Sequence, residues 1–478
     1  MRGAEAPFKE RAERGVGNTA LHAALFRATD RFLALREQML ATLPDADAAR
    51  DRAKAIRRHT IANLDRYLEQ FARNVQAAGG VVHWAADAAA ANRIIVGLAN
   101  QRGVELVVKG KSMISEEVEL NHALAAAGVT ALETDLGEFV AQLAGEPPAH
   151  IVVPVVHKTR RDVSRLFRER LGAEETDDVA RLTLIAREAL RKRFLEADMG
   201  FTGVNFGVAE TGTISVISNE GNGRMCSSLP RCHVALMGIE RLVPSLDDLA
   251  LMLQLLGRSA TGQKLTCYTS FITGPRRAGD PDGPEELHVV LLDNGRTRIL
   301  ASEYAEMLTC IRCGACLNAC PIYRLIGGHG YASTYPGPMG SVLSPLLNGF
   351  ARYADLPHAS SLCGACRDVC PVRIDLPGLL LRLRRDTVRE GHRPLWLKFG
   401  LTAYSFAARH PTIFRIGAKV AGIGTRLLGR DGWVRRLPPP LDAWTGSRDF
   451  PTLAGETFQE RWRRNRSGRA AARETRRA

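Results

Sequence analysis

A chain of 478 residues is too long for one hydrophobic core, so two or three domains are expected. Its 45% hydrophobic and 24% charged content is ordinary for a globular soluble protein. The net charge of +14 does not indicate a nucleic-acid binder, because residues 461–478 alone hold eight Arg and one Glu, half of the excess, and no basic-aromatic module accompanies them. That basic tail, which follows LPPP, reads as disordered and solvated, with weak contact to an acidic partner or anionic lipid as the alternative. The first residues lack the apolar stretch of a signal peptide, and no run approaches 18 apolar residues. The expectation is a cytoplasmic protein without a membrane span, which leaves room for a peripheral membrane contact.

In chain order, residues 1–74 read as a helical region. Residues 45–78 form an amphipathic helix, with Ile61, Leu64, Leu68, Phe71 and Val75 on one stripe and Gly79-Gly80 as the stop. Residues 75–297 then alternate strands and helices. Strands are predicted at 81–85, 104–109, 129–134 and 150–156, with a helix capped by Ser115 after the second and a long helix at 177–197. Further strands follow around the Thr211-Gly212 turn and in HVALMG, LTCYTSFITG and LHVVLLD. Continuous apolar strands separated by helices indicate an α/β domain: a largely parallel sheet covered on both faces, with some antiparallel pairing late. From Ser302 the strand signal disappears and cysteines begin, which makes 298–384 a helical, metal-binding domain. Residues 385–478 read as a helical C-terminal region, either a helical pair packed on the cluster domain or an amphipathic patch on a membrane.

Seven of the ten cysteines fall within 61 residues, which points to metal binding in a reducing compartment rather than a disulfide scaffold. CIRCGACLNACP places Cys310, Cys313 and Cys316 at every third residue, then Cys320 and Pro321. A short loop with this spacing wraps three corners of a cubane 4Fe–4S cluster, and in two-cluster proteins the fourth cysteine ligates the other cluster. Zinc sites use cysteine pairs separated by longer loops. SSLCGACRDVCP repeats the pattern with Cys363, Cys366 and Cys370 but has Ser360 at the first position. Exchange between the motifs gives cluster one Cys310, Cys313, Cys316 and Cys370, as 4Fe–4S. Cluster two takes Cys320, Cys363 and Cys366, as 4Fe–4S or 3Fe–4S. The fourth position of cluster two is left to a missing iron, to an oxygen from Ser360, Ser361 or water, or to a distant thiolate such as Cys226. Cys226, Cys232 and Cys267 otherwise read as small buried residues.

A weaker signal lies in VVKGKSMISEE, where Lys109, Lys111 and Ser112 run from a strand into a helix start. With Glu220 of the glycine-rich SNEGNGR loop they form a candidate anion or substrate loop, with an ordinary polar loop as the alternative. No nucleophile–base constellation stands out, and no flavin or nicotinamide motif is present.

KSMISEEVELNHAL, ETDLGEFVAQLAGEPPAHIV, AETGTISVISNEGNGR and SATGQKLTCY, followed by the two cysteine motifs, closely resemble the lactate-utilization protein B family. The resemblance covers nearly the whole chain in order. It implies a lactate-utilization α/β domain with an isomerase/CoA-transferase-like sheet, followed by an all-α two-cluster ferredoxin domain. It further implies an iron–sulfur electron-transfer subunit in a system oxidising L-lactate to pyruvate. The implied companions are a cysteine-rich heterodisulfide-reductase-like subunit and a second lactate-utilization-domain protein, and the electron acceptor is unknown. The alternatives are a stand-alone iron–sulfur oxidoreductase acting on another 2-hydroxy acid, and a docking or assembly module with no catalytic site.

Overall fold

The computed structural model describes residues 6–392, 395–439, 441–446 and 448–475. The chain divides into two compact units, the first ending at His392. It opens with helices α1 (Phe8–Val16), α2 (Thr19–Leu40), α3 (Ala46–Ala62) and α4 (Leu64–Ala77). The single helix expected over 45–78 is broken at Asn63, whose φ of −125° and ψ of 36° are non-helical. The break has a packing reason. Ile61 joins the core around the cysteine segment, whereas Leu64, Leu68, Phe71 and Val75 pack on the sheet, and one straight helix cannot face both.

Ten strands follow: β1 (Val81–Ala85), β2 (Leu106–Lys109), β3 (Thr130–Glu133), β4 (Met199–Gly203), β5 (Phe206–Val208), β6 (Thr213–Ser218), β7 (Cys232–Gly238), β8 (Leu242–Val243), β9 (Tyr268–Ile272) and β10 (Glu286–Leu292). Six of them form an all-parallel sheet in the order β1-β10-β7-β4-β2-β3. Its side chains alternate between two cores, Val290 and Leu292 on one face and Val289 and Leu291 on the other, so both faces are covered and the strands are apolar throughout. The antiparallel pairing expected late in the domain forms a separate four-stranded sheet, β8-β5-β6-β9, in which β5 and β8 run parallel.

The strand expected at 150–156 is absent; the segment turns. Pro154 has no N–H to give a ladder, and the Val152 and Val153 N–H groups instead donate to His150 Nδ1 at 3.0 and 3.1 Å. The helix after β2 begins at Ser112, whose hydroxyl accepts from the Ser115 N–H, so Ser112 rather than Ser115 is the cap.

Between Asp293 and His392 every regular element is an α- or 3-10 helix. This segment is not an isolated lobe. Leu25, Ala53 and Ile61 from α2 and α3, Phe206 and Val243 from the smaller sheet, and Leu317, Tyr323, Leu343 and Leu380 share one core. The second unit contains helices Leu395–Arg409 and Pro411–Leu428, which leave Trp396, Phe399, Tyr404, Ile416 and Val420 exposed. It also contains a short antiparallel pair, Trp433–Val434 with Phe450–Pro451. The basic stretch expected to be disordered is helical over Phe458–Thr475, consistent with the high helix propensity of its Arg and Ala residues; the last three residues lie outside the described part. No described helix is long and apolar enough to cross a membrane.

Candidate metal centre

Both cysteine motifs are shaped by left-handed backbone. Arg312 (φ 59°) and Gly314 (φ 79°) flank Cys313, and Leu362 (φ 56°) and Gly364 (φ 89°) flank Cys363. Such reversals turn consecutive N–H groups inward, which suits anionic sulfur. In the first motif the Arg312 N–H points at Cys310 Sγ at 3.4 Å. Pro321 then starts the helix Pro321–Ile326, where its missing N–H costs nothing, and the Tyr323 N–H points at Cys320 Sγ at 3.5 Å.

The fold brings Cys310, Cys313, Cys316 and Cys370 around one small cavity, closed by Ile311, Met339, Val372 and Ile374. Cys320, Cys363 and Cys366 form a second group of electrostatic neighbours, and Cys316 and Cys366 bring the two groups side by side. Cys363 is exposed, whereas Cys320 and Cys366 are buried. Burial and neighbouring sulfurs push the Cys313 and Cys366 thiols up to about 12 and Cys370 to about 11. Thiols crowded in this way, with Cys313, Cys320, Cys366 and Cys370 buried, need cations to become thiolates, so the two donor sets fit iron–sulfur clusters. Near the second group the fully buried Tyr331 hydroxyl lies beside Cys320 and has no other hydrogen-bond partner, as expected of a donor aimed at a sulfur.

Arginines hold the first group's loops through their carbonyls. Arg57, fully buried in α3, donates to the carbonyls of Glu240, Leu242, Leu308 and Thr309. Arg241 donates to Cys310 and Ile311 at 3.1 and 3.4 Å, and Arg50 to Cys370 at 2.9 Å. Arg36 donates to the Val369 carbonyl at 3.1 Å, and its buried Nε–H, with no protein acceptor, lies near Cys313 and Cys370. Three of these guanidinium groups come from the N-terminal helices. Spacing rules could not find them, because nothing local marks an arginine that reaches a loop some 300 residues away.

A buried ionic network joins this segment to the α/β domain. Arg296 donates to Glu117 at 2.8 Å and to Glu240 at 2.5 Å, Arg312 reaches Glu240 at 3.3 Å, and the Tyr335 hydroxyl donates to Glu117 at 2.6 Å.

The candidate anion loop is arranged differently from its expected form. Lys109 is fully buried and bonded to Glu133 at 2.7 Å, Glu116 at 3.2 Å and Ser115 at 2.6 Å. Despite burial, those carboxylates hold it charged above its ordinary range, so its ammonium is already neutralised and not offered to a ligand. Lys111 donates to the Val152 carbonyl, Ser112 caps its helix, and Glu220 accepts the Leu136 N–H at 2.9 Å. Beside Lys109, burial and then the Glu133 charge push Glu138 well above the carboxylate range. A raised acid contributes stability at low pH that is lost as pH rises through its folded value. Glu138→Gln should therefore gain stability relative to the parent as pH rises above the ordinary carboxylate range. Parallel urea midpoints over that rise would contradict this.

Cys226 is buried beside Thr134, Glu133 and Lys109 in the α/β domain, apart from the second cysteine group. Cys267, expected to be buried, is exposed before β9. Cys232 lies with Glu286 and His288 within 4.8 Å, but Arg102 donates to both of the latter and occupies the place of a cation.

Comparison with known proteins agrees with this architecture. Three family models match in order: the LUD domain over residues 68–292, the 4Fe-4S dicluster domain over 306–374, and the C-terminal domain of lactate utilisation protein B over 386–467. Lactate utilization protein B of Macrococcus caseolyticus is 44% identical over 478 residues, covering 98% of this chain and 99% of that protein. Its counterpart in Bacillus velezensis is 43% identical, covering 96% and 97%. An Escherichia coli protein named "Uncharacterized electron transport protein YkgF" is 42% identical, also covering 96% and 97%. An iron–sulfur domain joined to a lactate-utilization α/β domain, in one order and over nearly full length, places this chain in the lactate utilization protein B family.

Proposed function

We propose that this protein is the iron–sulfur electron-transfer subunit of a cytoplasmic complex that oxidises L-lactate to pyruvate. Cys310, Cys313, Cys316 and Cys370 would hold a 4Fe–4S cluster, and Cys320, Cys363 and Cys366 a second, 4Fe–4S or 3Fe–4S. Such clusters, when bound, supply one-electron chemistry. The observation that carries the reading is the crossing of the motifs, which sets Cys370 at the first group and Cys320 at the second.

The chain's own residues bury Cys313 and Cys370 of the first group, fix its loops through guanidinium–carbonyl bonds, and keep the second group's edge open at Cys363. The two-electron step on lactate falls to a partner. The proposed partners are a cysteine-rich heterodisulfide-reductase-like subunit and a second lactate-utilization-domain protein. A peripheral membrane contact would use the basic C-terminal region.

The test is anaerobic EPR after adding L-lactate. Cluster reduction should require the companion subunits, and reduction by lactate in this chain alone would instead establish a stand-alone oxidoreductase. Cation placement makes a second expectation. Arg50→Gln removes a positive charge beside Cys370, so the midpoint of the first centre should fall by roughly 60 mV, a tenfold change in a one-electron equilibrium. An unchanged midpoint in a redox titration would refute that role.

A further inference from the structure

The two cysteine motifs are the same local structure written twice, fifty residues apart. Cys313, Gly314, Ala315, Cys316, Cys320 and Pro321 correspond to Cys363, Gly364, Ala365, Cys366, Cys370 and Pro371. The backbone repeats as well as the letters: left-handed residues stand at 312 and 314 and again at 362 and 364. Leu362 carries a Cβ and a branched side chain, so it adopts a positive φ only because the surroundings impose it. Short helices follow both times, Ala315–Ala319 and Ala365–Asp368. In this register Ser360 is the counterpart of Cys310.

The side chain repeats too. In the first motif the N–H two residues on, from Arg312, points at Cys310 Sγ at 3.4 Å. In the second the N–H two residues on, from Leu362, donates to Ser360 Oγ at 3.1 Å. The serine oxygen therefore occupies, relative to its own loop, the place that the cysteine sulfur occupies in the other. Its main chain is held as firmly, since Arg384 donates to the Ser360 carbonyl at 2.7 Å and to the Pro357 carbonyl at 2.8 Å. Cys310 completes the first group with Cys313, Cys316 and the crossing Cys370, and the second group has the equivalents of the last three in Cys363, Cys366 and the crossing Cys320.

The rival ligands are placed elsewhere. Cys226 lies beside Thr134, and the Ser361 hydroxyl is bonded to Cys363. The Tyr331 hydroxyl sits beside the Cys320 sulfur, where it donates to a ligand already present rather than filling a fourth corner.

We propose that Ser360 Oγ is the fourth protein ligand of the second cluster, which is therefore a four-iron cluster with three thiolates and one serine oxygen. On ligation the Oγ–H bond breaks, an iron–oxygen bond forms, and the proton leaves to solvent; no electron moves. A serine oxygen is a harder donor than a thiolate and binds its iron less durably, and the site lies at the exposed Cys363 edge, so this corner is the one that opens first. The inference rests on the reading that Cys320, Cys363 and Cys366 hold a cluster.

The test compares the reconstituted full chain with its Ser360→Cys and Ser360→Ala variants, by iron and sulfide analysis and by EPR before and after mild oxidation. The parent should carry close to eight irons per chain, counting about four per cubane. Ser360→Ala should lose about one iron and show an oxidised three-iron signal. Ser360→Cys should keep all its irons, resist oxidative loss of iron, and titrate at a shifted midpoint. If Ser360→Ala matches the parent in iron content, signals and oxidative loss, Ser360 is not a ligand and the inference fails. If the parent itself holds only one cluster, the underlying two-cluster reading fails instead, and the two failures are told apart by the parent's iron count.

Discussion

Arg296→Met is expected to destabilise the protein by about 3–5 kcal/mol, because it strands two buried carboxylates that share one guanidinium. Arg296, Glu117 and Glu240 are 1%, 3% and 2% exposed at their side chains, so water cannot replace the lost partner. Glu240 is held down to about 2 against the opposing effect of burial, by Arg296, Arg312 and Arg241. An acid depressed in this way contributes stability above the ordinary carboxylate range and loses it as pH falls towards its folded value. The deficit of Arg296→Met should therefore be largest near neutral pH and shrink on acidification, as protonated carboxyls cease to need a cation. Anaerobic urea unfolding at several pH values reads this directly, and a deficit independent of pH would show that lost packing, not charge, is the cause. The network joins Glu117 and Glu240 of the α/β domain to Arg296, Arg312 and Tyr335, so the same substitution should also loosen the docking of the cysteine segment.

Cys370→Ala should damage the first cluster while sparing the second. The residue lies in the second motif, yet its sulfur faces Cys310, Cys313 and Cys316. Iron content should fall by about one to four per chain, with the signals of the second centre retained. If the motifs instead worked independently, Cys370→Ala would damage the second centre and leave the first intact. The pattern of surviving EPR signals decides between the two arrangements.

Much of the fold was legible because it rests on local periodicity. Apolar strands alternating with helices gave the α/β domain and its parallel sheet, and β1 fell on the predicted residues. The errors share a cause. The 150–156 segment has strand composition, but Pro154 and the His150 ring redirect its N–H groups, and a hydrogen bond to a neighbouring side chain leaves no mark on hydropathy. The 45–78 helix has continuous amphipathicity, but its two halves face different cores, and only tertiary packing reveals that Asn63 must break it.

The candidate site divides in the same way. Spacing of two and three residues is set by how a short loop wraps a small object, so the cysteines and their exchange could be written down from the sequence itself. The gap at Ser360 was visible there as well, with a Ser360 oxygen as one of several ways to fill it. Its geometric equivalence to Cys310 depends on matched left-handed residues and matched N–H bonds, which are properties of the folded backbone. Likewise Lys109 reads as a free cation in its loop and becomes a neutralised one only when Glu116 and Glu133 close around it. Most of the elements, the cluster motifs and the family are legible in the residues alone, because these depend on residues near one another in the chain. Which charges are matched, which arginines support the cysteine loops and where the serine oxygen stands emerge only on folding, because these contacts act through space between residues that can be hundreds of positions apart.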